Sequence, residues 1–126
     1  MNYLFDAFAW IAYLEGTNKG EKVNEILENE NEIFTLPTTI TEVISKLKRQ
    51  DKNIETAYSA IIKNSKILNI TPKIAKEAGL IHAEYKNKIE GISMADTLLI
   101  SSAKATNSKI ITGDNHFKSF KEAIIL

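Results

Sequence analysis

The chain has no cysteine. That excludes disulfides, thiolate nucleophiles, and zinc or iron–sulfur sites held by thiolates. Net charge is absent as well. The 16 basic and 16 acidic side chains cancel, so no bulk positive field marks a coat for duplex nucleic acid, while a local binding edge stays open. Long apolar runs are also missing. The longest, Phe8 to Leu14, falls far short of the roughly 20 residues that a membrane-spanning helix needs. The opening M-N-Y-L-F-D-A-F-A-W has no basic leader and holds Asp6 inside its apolar stretch, which speaks against a signal peptide. Low-complexity linkers and internal repeats do not occur. What is present is 126 residues with 44% hydrophobic and 25% charged side chains, enough for one domain, 1–126, around a single core. The expectation is a soluble, cytoplasmic protein.

Short apolar runs alternate with helical periodicities. Strands are expected at Tyr3–Phe5, Ile33–Leu36, Ile67–Ile70, Lys109–Thr112 and Ala123–Leu126. Pro37 stops the second and Thr71-Pro72 the third. Between them, F-A-W-I-A-Y-L suits a short helix, and Lys19–Glu30, Thr38–Gln50, Ile54–Asn64, Lys73–Ile89 and Ser93–Thr106 suit longer ones. A turn of helix is expected over Asn115–Phe120. This order implies an α/β fold, a three-layer α/β/α sandwich around a mostly parallel sheet of four to five strands. Aromatic residues, Phe8 and Trp10 among them, read as core packing.

Open parallel sheets bind ligands at the carboxyl ends of their strands. Asp6 follows Y-L-F there, and Asp114 follows I-I-T-G. Glu42 in T-T-I-T-E-V-I and Asp96 in S-M-A-D-T-L-L-I fall in the first turns of helices, whose N-termini face the same edge. Each acid has a simpler role. Thr39-x-x-Glu42 and Ser93-x-x-Asp96 fit capping boxes, and Asp6 and Asp114 fit as N-caps of the segments next in the chain. Capping explains each acid singly, but it does not predict that all four gather at one rim. Gathered carboxylates repel and raise one another's pKa values, and a divalent cation relieves them. Mg²⁺ or Mn²⁺ prefers such oxygen ligands and keeps waters, which suits hydrolysis of a phosphodiester with one metal, or with two about 3.5–4 Å apart.

These same blocks carry a family resemblance. With Y-L-F-D-A-F-A-W-I, T-E-V-I, S-M-A-D-T-L-L-I-S-S-A and I-I-T-G-D-N-H-F in this order, the chain resembles a PIN domain, most of all a VapC-type toxin ribonuclease. The last two blocks are the most specific. The resemblance implies a metal-dependent endoribonuclease selective for single strands. Its acids would be Asp6, Glu42, Asp96 and Asp114, with Thr112 supporting them. It also implies a homodimer silenced by a small antitoxin that threads a segment into the catalytic groove. Ala7 stands where such proteins usually carry Ser or Thr, and Asn115 and His116 stand where some carry a further acid. Fewer metal ligands are therefore expected.

Other residues are read more simply. His116 is taken as an exposed turn histidine without a role, and His82 as packed in mid-helix. Lys46, four residues after Glu42, is read as its helix-surface ion-pair partner, with a grip on RNA phosphates by Lys46, Lys48 and Arg49 as the competing account. Lys86 and Lys88 are read as solvated. Two further functions compete with cleavage. One is a PIN-like module that binds RNA or protein without cutting, which Ala7 keeps open. The other is a phosphoacceptor α/β domain, which is disfavoured. Phe8 stands where a dehalogenase-type phosphatase needs its second acid, and I-L-N-I-T-P offers a receiver no aspartate.

Overall fold

Leu4 and Phe5 are chain neighbours and both are fully buried, as are Ile110 and Ile111. Successive residues of a strand face opposite sides, so a sheet made of such pairs must be covered on both faces. The computed structural model, which describes residues 1–126, has this arrangement. Five strands form one sheet: β1 (Asn2–Phe5), β2 (Glu32–Thr35), β3 (Lys66–Ile67), β4 (Lys109–Thr112) and β5 (Ala123–Ile125), in the order β3-β2-β1-β4-β5. Every pairing is parallel, with Leu4 beside Phe34 on one side and Ile110 on the other. Six helices connect them: α1 (Ala7–Glu15), α2 (Asn18–Glu28), α3 (Pro37–Arg49), α4 (Ile54–Asn64), α5 (Pro72–Tyr85) and α6 (Met94–Thr106).

Two cores result. Phe5, Ile33 and Ile111 pack against Trp10, Val23, Val43 and Ile61, so α1 to α4 cover one face. Leu4 and Ile110 pack against Leu99, Ile100, Ala103 and Phe117, so α6, backed by α5, covers the other. Trp10 sits at the centre of the first core, where its Nε1 donates to Thr35 Oγ1 at 3.1 Å. The crossover of α2 on α1 depends on Gly20. A Cβ there would lie 2.0 Å from the carbonyl oxygen of Ala12, so only glycine permits the approach.

Several boundaries differ from the sequence-based expectation, each for a local reason. Pro37 does not merely stop β2 but opens α3 as its first residue, since a proline's missing N–H costs nothing in a first turn. Glu42 therefore lies in the second turn of α3. The expected Thr39–Glu42 capping box does not form, and Leu36, with no side-chain bond, is the N-cap. The third strand is shorter than Ile67–Ile70 and ends at Ile67, because only Lys66 and Ile67 pair with β2. Leu68 and Ile70 instead pack against the second core. Thr71 caps α5, and Pro72 begins it. That helix stops at Tyr85 rather than Ile89, and the chain continues as turns in which the Lys88 and Ile89 N–H groups share the Tyr85 carbonyl. Thr17 starts α2 one residue earlier than expected by accepting from the Gly20 N–H at 3.1 Å.

The chain runs outward from β1 to β2 and β3, then crosses back to β4 and β5 on the other side of β1. The strand order thus reverses at β1. The carboxyl ends of β1 and β4 form the crevice where open sheets of this kind bind ligands.

Candidate functional site

Asp6 follows β1 directly, and Asp114 lies two residues after β4. Asp96 is the third residue of α6, and Glu42 lies one turn into α3. All four carboxylates line one open groove of about 610 Å³ at the crevice.

The aspartates cap and converge at the same time. Asp6 Oδ1 accepts from the Ala9 N–H at 2.8 Å and caps α1. Asp96 completes a capping box: its Oδ2 accepts from the Ser93 N–H at 2.9 Å, while Ser93 Oγ accepts from the Asp96 N–H at 3.0 Å. Asp114 Oδ1 accepts from the His116 N–H at 2.8 Å and starts a short 3₁₀ turn, Asn115–Phe117. Each cap uses one oxygen of a carboxylate and holds that carboxylate in place. Oδ1 of Asp96 and Oδ2 of Asp114 make no hydrogen bond to protein and remain available. Glu42, exposed and outside the first turn, has no capping role at all.

Thr112 ties the two strand ends together. Its buried Oγ1 accepts from the Asp114 N–H at 2.9 Å, and the same side chain favours the charged form of Asp6. Burial is the main influence on Asp6, whose pKa is pushed up to about 7. The Thr112 and Ala9 hydrogen bonds oppose that shift, and the charges of Asp114 and Glu42 add to it. Glu42 is also raised, by partial burial first and then by the charge of Asp96. Asp6 thus senses Asp114 and Glu42, and Glu42 senses Asp96.

His116 is half-buried rather than the exposed turn residue expected. Phe117, buried in the second core, anchors the turn, and the imidazole swings back into the site. Its Nδ1 lies 3.2 Å from both Asp96 Oδ2 and Asp114 Oδ1. Ligand atoms of Asp96, Asp114 and His116 all fall within 4.8 Å of one another. The available signal was the D-x-H spacing, which a capped 3₁₀ turn folds back on its own aspartate. Hard carboxylate oxygens suit Mg²⁺ or Mn²⁺, and one imidazole extends the donor set toward transition metals.

Other placements also depart from expectation. Glu42 and Lys46 form no ion pair; Lys46 and Arg49 line the groove beside the acids, and Lys48 does not. Phe8 is not in the core but 39% exposed at the groove wall. His82 is half-buried on α5, away from the groove. Lys88 pairs with Glu84 at 3.9 Å on the helix surface, and Lys86 is exposed. No helix is long and apolar enough to cross a membrane.

A five-stranded parallel sheet between helical layers, with acids gathered at its switch point, defines the class of α/β proteins with a carboxylate-lined crevice. A PIN domain family model matches residues 3–123, and the chain belongs to the PIN domain family. Its structural neighbours include VapC-type proteins of VapBC toxin–antitoxin systems. It superposes on a toxin–antitoxin complex from Klebsiella pneumoniae with a TM-score of 0.77 and 21% identity, over 97% of this chain and 95% of that one. For VapBC2 from Rickettsia felis bound to a promoter DNA fragment, the TM-score is 0.75 at 20% identity, over 100% and 98%. For Mycobacterium tuberculosis VapC20, described as a sarcin–ricin-loop-cleaving toxin, it is 0.72 at 13% identity, over 95% and 97%. No curated protein is similar enough in sequence to count as a match.

Proposed function

We propose that this protein is a Mg²⁺- or Mn²⁺-dependent endoribonuclease that hydrolyses phosphodiester bonds of single-stranded RNA as the toxin of a toxin–antitoxin pair. The observation that carries this reading is the meeting of Asp6, Glu42, Asp96 and Asp114 in one groove. The neighbouring toxin–antitoxin structures support it at the level of fold. The chain would act as one domain over residues 1–126, in the cytoplasm, as a homodimer, with a small antitoxin entering the groove.

The residues fit a divalent cation. Asp6, Asp96 and Asp114 would hold it, with Glu42 as a further ligand or as the group that orients the attacking water. When bound, such an ion neutralises charge on the phosphate and activates water for attack. The caps keep the aspartates in position without reorganisation, and that preorganisation is the protein's main contribution to rate. Thr112 holds Asp6 and Asp114 in register. Glu42, whose pKa is raised by partial burial and by the charge of Asp96, is suited to accept a proton from the water it orients.

Asp96→Asn is expected to abolish cleavage in Mg²⁺ or Mn²⁺ while the fold persists, because an amide still fits the capping position. Gel assays on structured and unstructured RNAs, with and without chelator, beside circular dichroism of the variant, check this. Undiminished cleavage by Asp96→Asn would sink the assignment. Absence of a Mn²⁺ site in calorimetric titration would favour the module that binds RNA or protein without cutting.

A further inference from the structure

Phe8 has a feature that acid chemistry does not need. The residue is 39% exposed, yet it follows Asp6 by only two residues and lies on the groove wall. Its place is built by the facing strand end. A Cβ on Gly113 would lie 2.3 Å from the Phe8 ring, so glycine in I-I-T-G-D leaves the ring its seat. On the solvent side, Lys19 Nζ stands 5.3 Å from the ring centroid. A second groove of about 440 Å³ continues from the first, sharing Phe8, Ile11 and Lys46 with it and reaching Thr17 and Lys19 at the start of α2. Lys19, Lys46 and Arg49 flank this path, and none has an acidic partner within 4 Å. Glu15, the acid in the second groove, is already engaged by Lys52 at 3.8 Å.

An exposed aromatic face between unpaired cations is the arrangement that binds single-stranded nucleic acid, with bases stacking and cations tracking phosphates. Resting on the ribonuclease reading, we propose that Phe8 is the stacking platform for a nucleobase next to the scissile phosphate. Lys19, Lys46 and Arg49 then guide the flanking phosphates into the second groove. The site takes any base, because every base has a π-face. Lys19, at the end of a flexible side chain, yields the ring face to the base and turns to its phosphate. The unpaired cations favour a polyanion over an apolar protein segment as occupant.

The test is fluorescence anisotropy of labelled single-stranded RNA with the full chain in Ca²⁺, beside cleavage assays in Mn²⁺. Phe8→Ala should weaken binding roughly five- to a hundredfold, Phe8→Leu should weaken it similarly, and Phe8→Trp should retain it. RNA abasic at the stacked position should bind wild type and Phe8→Ala alike. The Phe8→Trp emission should be quenched on adding oligouridylate, a signal that a purely structural residue does not produce. Thermal melting of each variant establishes that it folds. Equal RNA affinity of wild type and Phe8→Ala, or an equal loss on abasic RNA, overturns the proposal. So does a Phe8→Ala protein that keeps RNA but no longer binds a partner polypeptide. If wild type neither binds nor cleaves any RNA in Mn²⁺, the ribonuclease reading itself has failed.

Discussion

Asp6 is the residue at which folding and chemistry pull against each other. It is buried to 6% exposure, so the folded chain holds its proton up to about pH 7, whereas the unfolded chain releases it near 3.8. Between those values the folded state carries the extra proton. The contribution of Asp6 to stability is therefore greatest at acidic pH and declines as pH rises, by up to about 1.4 kcal/mol per pH unit, until it levels off above 7. Asp6→Asn should remove most of this slope and stabilise the cation-free protein near neutrality. Urea unfolding of both proteins from pH 4 to 8 checks it; parallel stability–pH curves would show that Asp6 ionises normally. Saturating Mn²⁺ should flatten the wild-type slope, because a bound cation stabilises the charged carboxylate. His116 makes a related point. Sequence spacing placed it near Asp114, and only the 3₁₀ turn, fastened by buried Phe117, set its Nδ1 3.2 Å from two carboxylates.

The connections between elements carry more of the site than the elements' interiors. Asp6, Asp96 and Asp114 all occupy cap or first-turn positions, so the bonds that start α1, α6 and the 3₁₀ turn also orient the carboxylates. The packing of α2 is set just as locally. Gly20→Ala would place a methyl group 2.0 Å from a backbone oxygen of α1, and no side chain can yield there. It is expected to destabilise the protein by roughly 1–3 kcal/mol by forcing the helices apart. Thermal or urea unfolding measures this, and an unchanged midpoint would show that the crossover is slack. Most elements were legible in the sequence, because helical periodicity and short apolar runs are what packing on a covered parallel sheet requires. The extent of β3 was not, since I-L-N-I has the apolar content of a strand whether or not an edge partner is long enough to pair with it. Glu42 shows the same limit. T-x-x-E matches a capping box wherever it occurs, and here Pro37 moved the helix start so that the motif fell inside.

At the scale of the whole molecule, net charge and local charge part company. The chain is neutral, yet three unpaired cations sit along the two adjoining grooves. RNA binding should therefore depend on salt only modestly. With Lys19, Lys46 and Arg49 each contacting a phosphate of a single strand, log K against log salt should fall with a slope of about −2. Anisotropy titrations across a range of KCl concentrations read the slope directly. A value several units steeper would mean a much larger basic surface than these grooves provide.

The amino-acid sequence by itself determined the alternation of strands and helices, the both-sided burial of the strands, the exclusion of thiolate chemistry, and the four acids with their order. These depend on residue type and near-neighbour spacing. Tertiary structure alone decided which of those residues meet. It turned His116 from a surface histidine into a neighbour of two carboxylates, and it left Phe8 on the groove wall while Trp10, two residues on, went into the core. It also separated Lys46 from Glu42. The physical reason is that convergence at a sheet's switch point brings together residues up to about a hundred positions apart in the chain, and no local pattern records which side of an element will face that point.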